Sequence, residues 1–108
     1  MQIQFLYTDG CPYNNLARSA LHKVMEEEGI RAYVEEVYIR TEDEARRLGF
    51  PGSPTILTNG LDVGGGGRPG LGCREYKTAD GRIQGWPDKE TIRWALEVAE
   101  SPAAGCCG

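Results

Sequence analysis

Residues 2–13 read Gln2-Ile3-Gln4-Phe5-Leu6-Tyr7-Thr8-Asp9-Gly10-Cys11-Pro12-Tyr13: an alternating strand, a turn and the start of a helix, with a cysteine at the junction. Side chains alternate across a strand, so Ile3, Phe5 and Tyr7 share one face of a strand over 2–8. Asp9-Gly10 is a turn signal. Pro12 suits a first helical turn, where its missing N–H is not needed. From about Pro12 to Glu28, the residues Leu16, Ala17, Ala20, Leu21, Val24 and Met25 recur at helical spacing. Gly29 closes that helix.

Outward from this unit the pattern keeps alternating. Residues 32–39 form a second strand whose alternation slips in the middle, which fits a bulge or a short strand. Thr41-Glu42-Asp43-Glu44 is a capping box that opens a short second helix ended by Gly49. After the turn Pro51-Gly52-Ser53-Pro54, Thr55-Ile56-Leu57-Thr58 is a third strand, stopped by Asn59-Gly60. Residues 60–72 hold seven glycines and one proline. Arg74 to Thr78 reads as a fourth strand, and Asp80-Gly81 as another turn. A last helix runs from Pro87-Asp88 to about Glu100, with Ile92, Ala95, Leu96 and Ala99 inward.

The expected class is α/β in the order βαβαββα. A central mixed four-stranded sheet, flanked by helices, starts parallel through two βαβ crossovers and finishes antiparallel. Residues 1–100 are expected to form this domain, and 101–108 a flexible tail carrying cysteines.

The chain has 108 residues, enough for a real core without disulfide staples. Its formal net charge is -4, which weighs against nucleic acid as a partner. No stretch approaches the roughly 18 apolar residues of a membrane helix. No basic segment followed by an apolar one opens the chain, so a cytoplasmic protein without a membrane partner is expected. Its four cysteines are Cys11, Cys73, Cys106 and Cys107. In this setting reactive or metal-binding thiols are a better expectation than a disulfide framework.

Cys11 stands between a strand and a helix. Unpaired N–H groups and the helix dipole favour negative charge there, and the thiolate is both nucleophile and metal ligand. Asp9 would oppose this if its carboxylate lay close. Cys73 follows the glycine loop, which can fold back over Cys11. It is then a resolving thiol or disulfide partner for Cys11, or a second ligand to a soft metal ion. Otherwise it is a cysteine on a strand with no role.

Asp9-Gly10-Cys11-Pro12-Tyr13-Asn14, followed by Ser53-Pro54-Thr55-Ile56, resembles the thioredoxin/glutaredoxin superfamily. The glutaredoxin active site reads Cys-Pro-Tyr-Cys, and Cys11, Pro12 and Tyr13 match it. More narrowly, with Gly72-Cys73-Arg74-Glu75-Tyr76 after the glycine loop, the chain is similar to small bacterial thioredoxin-like proteins found alongside alkylmercury lyase. The resemblance implies a thioredoxin-like fold, a cis bond at Pro54, Cys11 as the catalytic thiol, for which Cys73 is the candidate catalytic partner, and Pro12, Tyr13, Ser53, Pro54 and Thr55 against the substrate. That substrate is expected to be a thiol or disulfide protein or a small thiol.

The chain departs from the glutaredoxin pattern in two places. Asn14 replaces the second cysteine, so release of a mixed disulfide needs an external thiol or another cysteine of the chain. The Gly-Gly-x-x-Asp stretch that helps hold glutathione is unmatched, because Gly64 to Gly67 lead into Arg68.

Cys106-Cys107 form a vicinal pair that resembles the C-terminal pair of mercuric reductases. Adjacent thiols suit capture of Hg(II), Cu(I) or Zn(II), since thiolates select soft ions. No cofactor is required by the redox reading. Three functions stay open: a thiol–disulfide oxidoreductase using Cys11; a soft-metal binding or transfer protein using Cys106, Cys107, Cys11 and Cys73; and a non-catalytic binding module. His22 falls on the outer face of the first helix and is expected to be solvated. Trp86 and Trp94 are expected in core or edge packing.

Overall fold

The computed structural model describes residues 1–100. Cys106 and Cys107, the expected metal ligands, lie outside the described residues. The elements are β1 (Ile3–Tyr7), α1 (Asn14–Glu27), β2 (Val34–Tyr38), α2 (Glu42–Leu48), β3 (Thr55–Thr58), β4 (Leu61–Asp62), β5 (Tyr76–Lys77), β6 (Ile83–Gln84) and α3 (Lys89–Glu100). The first four strands form one mixed sheet in the order β2-β1-β3-β4, and β5 and β6 form a separate hairpin. The protein is thus α/β with a mixed four-stranded sheet and three helices.

Apolar alternation in β1 splits the core between two faces of the sheet. Ile3 and Phe5 join Ile56 against Ala17, Leu21, Val24 and Met25 of α1 and Ile92 and Leu96 of α3. Leu6 faces the other way and packs with Ile39, Ala45 and Phe50 on the α2 side. The Thr41 hydroxyl accepts the Glu44 N–H at 3.1 Å and caps α2 as the capping box predicts. Gly49 ends α2 in the left-handed conformation. His22 is exposed. Leu16, expected inward, is also exposed, because α1 begins at Asn14 and its core stripe runs along Ala17, Leu21 and Val24. Trp94, too, stands 65% exposed rather than packed.

Three expectations about the sheet are corrected. First, only the β1–β2 crossover is parallel, whereas β3 runs antiparallel to β1. Second, the fourth strand of the sheet is Leu61–Asp62 inside the glycine-rich stretch, not Arg74 to Thr78. Asn59-Gly60 is a two-residue hairpin turn with φ of 50° and 82°, joining Thr58 to its partner Leu61. Positive φ at both central positions is what Asn-Gly supplies in a type I′ turn. Third, Tyr76–Lys77 pairs with Ile83–Gln84 in a hairpin of its own, so the order contains two more strands than βαβαββα.

The antiparallel pairing of β1 with β3 sets the site. It puts the C-terminal end of β1 beside the start of β3, so Gly10-Cys11 faces Ser53-Pro54. Strand β4 runs back toward that same end, and the chain beyond it returns there as Gly72-Cys73-Arg74, which lies parallel alongside Ser53. The glycine loop therefore carries Cys73 to the end of the sheet where Cys11 stands.

Candidate functional site

Cys11 sits in the turn between β1 and α1, three residues before the first helical residue rather than within the helix. Tyr13 is the N-cap and takes the Ala17 N–H on its carbonyl at 3.0 Å. Cys11 is 9% exposed. Its thiol donates to the Ser53 carbonyl at 3.4 Å. The Cys73 thiol, which is exposed, donates to Cys11 Sγ at 2.7 Å. That spacing lies between the about 2.05 Å of a disulfide bond and the contact distance of two unbonded sulfurs. The two residues 62 positions apart are thus held with their sulfurs in contact.

Desolvation pushes the Cys73 thiol up to about 11, helped by its hydrogen bond to Cys11 and by the negative charge of a Cys11 thiolate. At neutral pH Cys73 keeps its proton and points it at Cys11. The Asp9 carboxylate accepts the Tyr38 hydroxyl at 2.7 Å.

Ser53 is the hub of the site. It is completely buried. Its N–H donates to the Gly72 carbonyl at 2.9 Å, and its carbonyl accepts the Arg74 N–H at 3.1 Å as well as the Cys11 thiol. Its hydroxyl accepts the Thr8 N–H at 3.0 Å and donates to Asn14 Oδ1 at 2.6 Å. The Ser53–Pro54 peptide is cis. Pro54 and Thr55 are buried with Ser53, whereas Pro12 is exposed and Tyr13 half-buried. Tyr13 stacks on Trp86 at 5.7 Å between ring centroids.

Several residues of the site escape sequence reading. Asn14, read as the place of a missing thiol, is a strut: its amide donates to the Thr8 carbonyl at 2.8 Å and its oxygen takes the Ser53 hydroxyl. Arg74 is buried and bonds Asp62 at 2.8 Å and Thr55 Oγ1 at 3.0 Å. Its guanidinium also covers the Tyr76 ring at 4.4 Å, and the Tyr76 hydroxyl donates to the Pro54 carbonyl at 2.5 Å. Burial raises the Tyr76 phenol well above its ordinary range. The alternation of Arg74, Tyr76 and Thr78 was the available signal: all three are buried, with Glu75 and Lys77 exposed between them.

Among the described residues no group of three or more His, Cys, Asp and Glu side chains converges as a metal site. No described helix is long and apolar enough to cross a membrane. No protein-family model matches the chain, and neither a curated protein nor a solved structure matches it.

Proposed function

We propose that the chain is a thioredoxin-like thiol protein that works as a thiol–disulfide oxidoreductase, with Cys11 as nucleophile and Cys73 as resolving thiol. The observation that carries this is the 2.7 Å contact between the two sulfurs of residues far apart in the chain. The Cys11 thiolate attacks one sulfur of a substrate disulfide, forms a mixed disulfide and expels the other sulfur as a thiolate. Cys73 gives up its proton to the departing thiol and attacks Cys11 Sγ. The substrate leaves reduced by two electrons, and a Cys11–Cys73 disulfide remains. An external thiol pair returns the protein to its reduced form. Cys73 thereby does the work that the second cysteine of a Cys-x-x-Cys motif would do, and Asn14 is free for its structural part.

The convergence of two sulfurs also favours a second reading, in which Cys11 and Cys73 hold a soft ion such as Hg(II) or Cu(I). One experiment separates the two. Thiols are alkylated and mapped by mass spectrometry on protein prepared oxidised and reduced. A Cys11–Cys73 disulfide that forms and reduces reversibly is expected. If both thiols stay free under mild oxidation, the oxidoreductase reading is lost. A Cu(I) titration that is abolished by Cys73→Ser then supports the metal reading.

A further inference from the structure

A disulfide enzyme that acts on proteins needs somewhere to seat an extended peptide beside its nucleophile. The general device is an unpaired stretch of backbone, to which the peptide adds as one more strand. In this protein the backbone next to Cys11 is that of Ser53, and every polar group of Ser53 is already used. Its N–H is taken by Gly72, and its carbonyl by Arg74 and by the Cys11 thiol. Its hydroxyl is held between Thr8 and Asn14.

The occupying segment is itself anchored on both sides. Upstream, the Leu71 carbonyl accepts the Thr8 hydroxyl at 3.2 Å, and the Gly70 N–H donates to the Phe50 carbonyl at 3.0 Å. Downstream, Arg74 is fastened to Asp62 and Thr55. Ser53, Pro54 and Thr55 are consequently buried, and Cys11 is only 9% exposed. Of the two cysteines, Cys73 is the one exposed to solvent.

We propose that this site serves small, non-peptide disulfides, and is regenerated by small thiols, because the chain's own Gly72-Cys73-Arg74 occupies the edge on which an extended peptide would dock. The proposal rests on the oxidoreductase reading and names its substrate class. Cys73 then has two parts: its sulfur resolves the mixed disulfide, and its backbone closes the edge to peptides. A small disulfide reaches Cys11 past the Cys73 side chain with the 72–74 segment in place. A peptide must first displace the two main-chain hydrogen bonds to Ser53.

The test uses the full chain carrying Cys73→Ser together with Cys106→Ser and Cys107→Ser, so that Cys11 is its one thiol and stops at the mixed disulfide. Two probes are offered, each an activated disulfide of thionitrobenzoate: one with 2-mercaptoethanol, one with a short, end-blocked extended peptide containing a single cysteine. Cys11 bonds to the probe's other sulfur and releases the coloured thionitrobenzoate anion, so both reactions are read by absorbance. Each rate is divided by the same probe's rate with free dithiothreitol. The peptide probe is expected to react at least about tenfold more slowly, the cost of giving up two main-chain hydrogen bonds. An equal or faster peptide rate overturns the proposal and leaves the oxidoreductase reading intact. Reaction with neither probe overturns the oxidoreductase reading, and the proposal with it.

Amide exchange on the unsubstituted protein gives a readout independent of that variant. The Ser53 and Arg74 N–H groups are expected to stay protected when an excess of the same peptide, with serine in place of its cysteine, is added. Loss of protection at both would show that the peptide displaces the segment, and the proposal fails.

Discussion

The Arg74 guanidinium and the Asp62 carboxylate form an ion pair at 2.8 Å, with side-chain exposures of 7% and 13%. Asp62 belongs to the edge strand β4, and Arg74 directly follows Cys73. The pair therefore ties the segment that carries Cys73 to the sheet. Removing one partner leaves an uncompensated buried charge, which typically costs about 3–5 kcal/mol. Arg74→Ala and Asp62→Ala are each expected to lower stability by about that much in urea unfolding. The double variant should lose clearly less than the sum of the two, because it strands no charge. Additive losses would show that the ion pair does not hold the loop.

The raised Cys73 thiol gives a pH dependence with a definite sign. Folded, this group binds its proton more tightly than in the unfolded chain. Its contribution to stability is therefore fully present below the ordinary thiol value of 9.0 and is lost as pH rises toward about 11. The reduced protein should unfold more easily across that window, and Cys73→Ser should flatten part of the decline. The Tyr76 phenol, also raised by burial, supplies a remainder of the same sign. A Cys73→Ser profile that superimposes on the parent's would show that Cys73 keeps no tighter hold on its proton in the folded protein.

Gly52 has φ of 124°, and a Cβ there would meet the Gly72 carbonyl oxygen at 2.9 Å and Arg74 Cβ at 3.0 Å. The position thus demands glycine for its backbone and for the closeness of the segment beside Ser53. Gly52→Ala is expected to push residues 72–74 outward and part the two sulfurs. Under a fixed oxidant the Cys11–Cys73 disulfide should form several-fold more slowly, read by quenched alkylation and mass spectrometry. An unchanged rate would mean that the seating of Cys73 does not depend on this contact.

Periodicity made six of the nine elements legible: β1, α1, β2, α2, β3 and α3 stand where the apolar spacing puts them, within two residues at most ends. What failed was pairing. Arg74 to Thr78 alternates like a sheet strand, and its buried side chains do point inward. Yet its partner is β6, because β4 already occupies the open edge of β3. Asn59-Gly60 carried a hairpin signal, but the glycines that follow Val63 made a strand there hard to see. The meeting of Cys11 with Cys73 depends on β4 reversing the chain toward the start of β3. That is a property of the assembled sheet and not of either cysteine's neighbours. Arg74 and Asp62, separated by 12 positions, look like ordinary surface charges until the loop folds over them.

Asn14 is where the two views of the site diverge most, and its substitution tests them. As a missing thiol, it would be a vacancy in a Cys-x-x-Cys motif, and Asn14→Cys would restore the motif at little cost. As a strut, it holds the Thr8 carbonyl and the Ser53 hydroxyl, two groups on different strand ends beside Cys11. A thiol replaces neither bond well, and buried polar groups left unpaired cost about 1–3 kcal/mol. Asn14→Cys is therefore expected to lower stability by about that amount in urea unfolding of the reduced protein. On oxidation, peptide mapping should still find mainly the Cys11–Cys73 disulfide, since those sulfurs are already 2.7 Å apart. The opposite result, a more stable protein whose introduced thiol captures Cys11, would make position 14 the natural seat of the resolving cysteine and reduce Cys73 to a neighbour.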